Sequence, residues 1–273
     1  MENAMNEAKG SADVSGGSPE RFGYSWNQFN ELSQEQEEQF RRWTIHLDPE
    51  VDWKGKTFLD AGCGAGRNSH WAMKFGAAGG VGIDLDERSL GAARRNLAGY
   101  GSVQILEKSI YDIGFQGAFD IAFSLGVIHH LDNPLQALRQ MRQATRPGGK
   151  VLIWVYGYEN MEFYVNVLDP VRRALFSRLP IRLVSALSHL PASALWAMLR
   201  SGLHPSIEYF RLLRGFPYAH LRHIVFDQML PRTANYWRRE EVEALMTQAG
   251  LEDIRLEWVN QMSWSAIGTV PRG

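Results

Sequence analysis

Five short apolar runs recur between residues 57 and 156: TFLDA, GGVGID, VQILEKS, FDIAFSL and KVLIWVY. Runs of this length, bounded by Gly, Asp and Pro, read as buried strands. Helical spacing fills the gaps at 67–75, at 87–98 (Leu90, Ala93, Arg94 and Leu97) and at 134–144 (Leu135, Leu138 and Met141 on one face). Asn133 supplies a cap for the last of these and Pro134 its first turn. Pro147-Gly148-Gly149 reads as a turn before the fifth strand. Such alternation dictates an α/β fold, a parallel sheet with helices on both faces.

Around this core the texture differs. Residues 1–20 are polar and rich in Gly, Ser, Asn and Glu, and read as a disordered leader. Residues 21–50 read as a helical cap, with Phe29, Leu32, Gln36, Phe40 and Trp43 near helical spacing. From 157 to 235 the alternation stops, and the segment reads as a helical lid inserted after the fifth strand. A helix over 238–249, ended by Gly250, and strands at 254–260 and 263–270 then return the chain to the sheet. The expected division is leader 1–20, cap 21–50, core 51–156, lid 157–235, and closing helix and strands 236–273.

The first strand runs into FLDAGCGAGRN, with Gly62, Gly64 and Gly66 at every second position. Glycines after a strand let backbone approach a ligand that any Cβ would block. The dinucleotide fingerprint G-x-G-x-x-G puts a pyrophosphate at a helix N-terminus. Here Arg67 stands where its third glycine belongs, and Asp60 precedes the first glycine. A carboxylate there suits an ammonium and repels a pyrophosphate, which argues against a nicotinamide-dependent oxidoreductase. Asp84 ends the second strand, where a carboxylate can accept both hydroxyls of a ribose. Ammonium, ribose and no phosphate describe S-adenosylmethionine (SAM).

DAGCGAGRN, GIDLDE, FDIAFSLGVIHHLDNPLQALRQM and RPGGKVLIWVY resemble the successive motifs of class I SAM-dependent methyltransferases, closely over about 55–157 and loosely over 236–270. The resemblance implies a Rossmann-like sheet of seven strands with the last antiparallel, SAM as cofactor and S-adenosylhomocysteine as product. It places the methionine end at Asp60, Gly62 and Gly64, within the loop that Gly66 closes. It places the ribose at Asp84, adenine at Leu85, Ser109 and Ile110, and the methyl group near Ser124. Ser109 departs from the Asp usual in the family. Tyr24 and Trp26 would fold over the cofactor from the N-terminal side. The alternative is a SAM- or partner-binding protein on the same fold without transfer.

GVIHHL ends the fourth strand, where α/β sheets place their chemistry. His129 or His130 could take a proton from the acceptor during transfer, and His129 is the first choice because His130 is expected to pack inward. The alternative is that both histidines only cap the turn. Adjacent histidines do not readily chelate one ion and no carboxylate–histidine cluster flanks them, so no metal is expected. Asp227, Tyr236 and Trp237 are candidates for the acceptor pocket. With histidines as bases, the expected reaction is methylation, favouring oxygen, of a small apolar, amphipathic or anionic molecule.

Residues 170–226 hold eight arginines, no lysine and one carboxylate, Glu208, a formal charge of about +7 in a chain of −1. Three readings compete for this segment: a lid with a solvated basic face, an anionic-acceptor pocket, and a docking face for an anionic membrane surface. With no lysine-rich patch and no recognition helix, nucleic acid is not expected. The single Cys63 excludes a disulfide framework and fits a reducing, cytoplasmic setting, with a peripheral membrane location as the variant. MENAMNEAKG lacks the basic and apolar regions of a secretion signal. Nothing in the chain fixes an oligomeric state.

Overall fold

The computed structural model describes residues 34–176, 179–231 and 233–272. Helix α1 (Gln34–Trp43) precedes β1 (Thr57–Ala61), α2 (Arg67–Lys74), β2 (Gly79–Asp84), α3 (Glu87–Asn96), β3 (Val103–Glu107), β4 (Phe119–Leu125), α4 (Pro134–Ala144) and β5 (Thr145–Tyr156). A π-helical turn (Tyr164–Leu168) leads into α5 (Asp169–Leu175), α6 (Ile181–Leu187), α7 (His189–Ser201), α8 (Glu208–Arg214) and α9 (Tyr218–Met229). Then α10 (Arg239–Gln248), β6 (Glu252–Val259) and β7 (Ser263–Thr269) close the fold.

The seven strands form one sheet in the order β3-β2-β1-β4-β5-β7-β6, and β7 runs antiparallel to both neighbours. This is the Rossmann-like class I methyltransferase arrangement that the motifs imply. Each face buries its own apolar layer. On one, Leu138 and Met141 of α4 and Val242 and Met246 of α10 pack on Leu59, Ile83 and Ile153. On the other, Phe40 of α1, Trp53 and Trp71 pack on Phe58 and Phe123. Phe40 and Trp53 meet at 5.6 Å and both approach Phe123 edge-on, a geometry aromatic quadrupoles favour.

Pro147-Gly148-Gly149 is not a turn between elements. The strand begins at Thr145, and the extra residues form a bulge where pairing with β4 shifts between Phe119 and Ile121. Gly148, at φ 76°, allows it. Asn133 does cap α4, accepting from the Gln136 N–H at 3.1 Å.

The helical segment after β5 is fastened by one buried ion cluster. Asp169, 2 % exposed, accepts from Arg172 at 2.7 Å and from Arg173 at 2.5 Å. Arg172, also buried, donates to the Pro231 carbonyl, and Arg173 donates to the Ala234 carbonyl at 2.5 Å. Asp169 therefore anchors two arginines as well as opening α5; Arg172 is buried, while the Arg173 side chain stays 46 % exposed. Arg222 is likewise held by Ser185 and Ser188. Removing the carboxylate leaves buried guanidinium charge uncompensated, so Asp169→Ala is expected to cost about 3–5 kcal/mol. Chemical denaturation checks this; a loss under 1 kcal/mol would show the cluster to be solvated.

Candidate active site

After β3 the chain returns to place β4 beside β1, and the crevice at that reversal is where open α/β sheets hold ligands. A cavity of about 340 Å³ lies there, over the carboxyl ends of the parallel strands. Gly62 and Gly64 of the loop line it, with Asp84, Leu85, Ser109 and Ile110. The loop glycines take left-handed φ values of 88°, 51° and 75°. Two are also fixed by protein contacts: a Cβ on Gly62 would stand 2.5 Å from Val127, and one on Gly66 2.8 Å from Leu97.

Asp84 ties the loop to β2. Its Oδ2 accepts from the Gly64 N–H at 2.9 Å, and its Oδ1 from the N–H groups of Leu85 and Asp86. A carboxylate offers about four acceptor positions, so roughly one remains for a ribose hydroxyl, where two bonds were expected. Burial pushes its pKa up. Asp60 lies beneath the loop and not on the cavity wall. It is fully buried, its Oδ2 accepts from Ser69 Oγ at 2.7 Å, and its Oδ1 has no hydrogen-bond partner among the described residues. Desolvation pushes Asp60 up to about 7, with the charge of Asp84 adding to it. Ser109 faces the cavity and accepts from the Tyr111 N–H at 3.1 Å. Ser124 does not; its hydroxyl is spent on the Ala61 carbonyl at 2.7 Å. Tyr24 and Trp26 lie outside the described residues.

The histidine pair is the reverse of the expected arrangement. A 3₁₀ turn over Ile128–His130 buries His129 completely, stacked 3.8 Å from the Tyr156 ring, and neither ring nitrogen has a hydrogen-bond partner among the described residues. His130 is the one that lines the cavity. Its Nδ1 lies 2.8 Å from the Thr233 carbonyl, which can only accept, so Nδ1 carries the proton and Nε2 is the basic nitrogen. Burial depresses His130 to about 4 and pushes His129 well below its ordinary value, so both are neutral at physiological pH. The arginine-held residues Pro231 and Ala234 adjoin this turn, and Asn235 N–H fixes it by donating to the His129 carbonyl at 2.8 Å.

Asp227 and Tyr236 reach the cavity; Trp237 instead pairs its backbone with Tyr156 and Tyr158 and packs on the sheet's core. Around them is an aromatic wall that sequence reasoning missed. Tyr236 stacks on Tyr156 at 5.5 Å and 22°, and Trp154, Tyr209 and Phe216 complete it. Trp154 and Tyr156 flank Val155 on β5, so period-two spacing held the signal. Burial keeps Tyr209 up at about 12 and Tyr156 and Tyr236 higher, so all three are neutral. Arg67, set aside above as only a missing glycine, is a buried guanidinium on the same wall, lowered to about 10 by desolvation against the opposing charge of Asp227. Among the described residues no cluster of His, Cys, Asp and Glu could hold a metal.

These residues fit SAM: a glycine loop the backbone can press against it, a carboxylate on the wall at β2, apolar Leu85 and Ile110 beside it, and an unsatisfied carboxylate oxygen beneath. Residues 59–153 match the family model described as a methyltransferase domain. The chain is 32 % identical over 126 residues to a tRNA U34 carboxymethyltransferase of Shewanella sp. (strain W3-18-1), covering 40 % of this chain and 38 % of that protein. It is 33 % identical over 131 residues to the enzyme of that name from Edwardsiella ictaluri (strain 93-146), covering 42 % and 41 %. The chain thus spans about two fifths of the length of the curated relatives it matches. A SAM-dependent methyltransferase from Aquifex aeolicus shares the fold with TM-score 0.55 at 14 % identity, over 93 % of this chain and 98 % of the other. One from Thermotoga maritima does so with TM-score 0.50 at 15 % identity, over 91 % and 99 %.

The relatives' name corrects the expected partners. It points to an RNA acceptor, against the expectation of a small molecule, no nucleic acid and a membrane surface as alternative. The physical error was to require lysine: arginine carries the same charge and grips phosphate bidentately. No described helix is long and apolar enough to cross a membrane.

Asp84→Ala is expected to weaken SAM binding by about 1–3 kcal/mol, read by calorimetric titration; unchanged affinity in folded protein would remove Asp84 from the site. Asp60 has its folded pKa above its unfolded one, so the stability it contributes is full at low pH and is lost as pH rises through about 7. Without donor, Asp60→Asn should therefore match the parent near pH 4 and melt higher at pH 8. Parallel melting curves at both pH values would refute the burial effect.

Proposed function

From its place in the class I SAM-dependent methyltransferase superfamily, we propose that this enzyme transfers a methyl or carboxymethyl group from a SAM-type donor to a base of tRNA. One observation carries the acceptor class: the helices that roof the cavity are aromatic within and basic without. On α8, Tyr209 and Leu212 face the cavity while Arg211 and Arg214 are exposed. Glu208, the one carboxylate of the 170–226 segment, is taken by Arg42 at 3.0 Å. Arg182, Arg200, Arg211 and Arg214 meet no carboxylate among the described residues. Such a surface attracts a polyanion, and the aromatic wall beneath it takes one flat ring.

A bound SAM-type donor supplies a carbon activated by a sulfonium. Gly62, Gly64 and Asp84 hold the donor, and the rings of Tyr156 and Tyr236 give the acceptor base a face to stack on. His130, neutral with Nε2 basic, is the candidate to receive the acceptor's proton. Arg67, on the cavity wall, is the candidate to meet a carboxylate near the donor, whether on its amino-acid end or on a carboxymethyl group. Because displacement at carbon depends on alignment, positioning by these walls supplies much of the acceleration.

The test is incubation of unmodified tRNA with SAM and with a carboxylated SAM, followed by mass spectrometry of the nucleosides. A modified nucleoside with either donor supports the proposal; donor binding with no RNA binding and no transfer overturns it. Arg211→Ala with Arg214→Ala is expected to weaken RNA binding across sequences and to lower the salt slope by about 0.7 per lost phosphate contact for single strands. An unchanged slope would place the RNA elsewhere.

A further inference from the structure

The outer end of the helical segment carries a second aromatic group that takes no part in the cavity. His189, Ser193, Trp196 and Arg200 fall on one face of α7, at the i, i+4, i+7 and i+11 positions. Tyr218, at the start of α9, meets that face. Its hydroxyl bonds His189 Nδ1 at 3.1 Å and Ser193 Oγ at 3.0 Å, its ring lies parallel to His189, and Trp196 approaches it edge-on. The Arg200 guanidinium sits 5.1 Å over the Trp196 ring. Trp53, Trp71 and Trp264 are buried in this protein, yet Trp196 is 38 % exposed.

Resting on the RNA-acceptor reading, we infer that Trp196 and Arg200 form a stacking platform for an unpaired base of the same RNA, flanking the nucleotide that enters the cavity. The ring is held in place by Tyr218, which is in turn locked by His189 and Ser193, so little side-chain entropy is lost on stacking. Arg200 meets no carboxylate among the described residues, so its charge can face a phosphate and its plane a base. The neighbouring Arg182, Arg211 and Arg214 make the surroundings cationic. Placement also fits. Along α9, Tyr218 to Asp227 at the cavity wall is a rise of ~14 Å, about four base steps at ~3.4 Å per step, so the platform base lies about four nucleotides along the strand from the one in the cavity.

The experiment measures binding of the full chain by fluorescence anisotropy to an RNA hairpin with an unpaired loop and to a fully paired RNA duplex, with phosphatidylglycerol vesicles as third probe. SAM affinity and melting temperature serve as folding controls. Trp196→Ala should weaken hairpin binding about tenfold, the scale of one lost stacked base, and leave duplex binding within about twofold; Trp196→Phe should keep most of the affinity. Arg200→Ala should cost the hairpin more than Arg182→Ala, an exposed arginine that meets no ring among the described residues, and this comparison stands if Trp196→Ala fails to fold. Hairpin affinity unchanged in Trp196→Ala overturns the platform and leaves the RNA reading intact. A parent protein that binds neither RNA overturns both. Loss of vesicle binding in Trp196→Ala with hairpin affinity intact assigns the surface to lipid and overturns the platform.

Discussion

The site depends on the reversal that places β4 against β1 after the chain has laid down β2 and β3 on the other side. At that point the loops that follow β1 and β4 lead in opposite directions along the sheet, to β2 and to β5. The glycine loop fills one side and the histidine turn the other, and they meet where Val127 packs on Gly62. A side chain on Gly62 would wedge the two apart. The close approach that serves a ligand is thus also the contact that holds β1 and β4 in relation, and the loop has two reasons to be glycine.

A second constraint acts from outside the sheet. Asp169 holds Arg172 and Arg173, and these hold the carbonyls of Pro231 and Ala234. Beside these carbonyls lie Thr233, which sets the tautomer of His130, and Tyr236, which stacks on Tyr156. Parts of the candidate acceptor site are therefore positioned by a buried charge cluster in the helical segment and not by the sheet alone. Such clusters add little net stability because desolvation is costly, but they define one geometry.

That division explains what could be read from residues alone. Strands buried on both faces announce themselves as apolar runs, so the bounds of β1, β2 and β4 and the cap at Asn133 were legible. The Pro-Gly-Gly bulge was not, because a turn and a bulge use the same residues. The histidine order failed for a different reason: a three-residue helical turn rotates neighbours by an angle that alternation does not describe, and it buries His129. The role of Asp169 was not legible, since nothing local shows that its arginines reach carbonyls some sixty residues away. The arginine count was legible but its use was not. Arg172 is spent inside the fold, and Arg173 and Arg222 are tied to backbone and hydroxyl acceptors at its edge.

The charges sort by side. Within the cavity the charged side chains are Arg67 and Lys108 against Asp84 and Asp227, with His130 neutral. That wall is balanced and largely aromatic, which accepts a neutral ring and a zwitterionic donor but offers no surplus for a run of phosphates. Outside, the exposed arginines have no counter-charge within their own segment except Glu208, already engaged by Arg42. On the proposed reading a polyanion would be drawn to the roof and kept there, because moving a phosphate into the cavity would forfeit hydration without gaining net charge. A neutral base pays far less to enter. The same separation explains why a pocket rich in tyrosine can sit beneath a strongly basic surface without being an anion site itself.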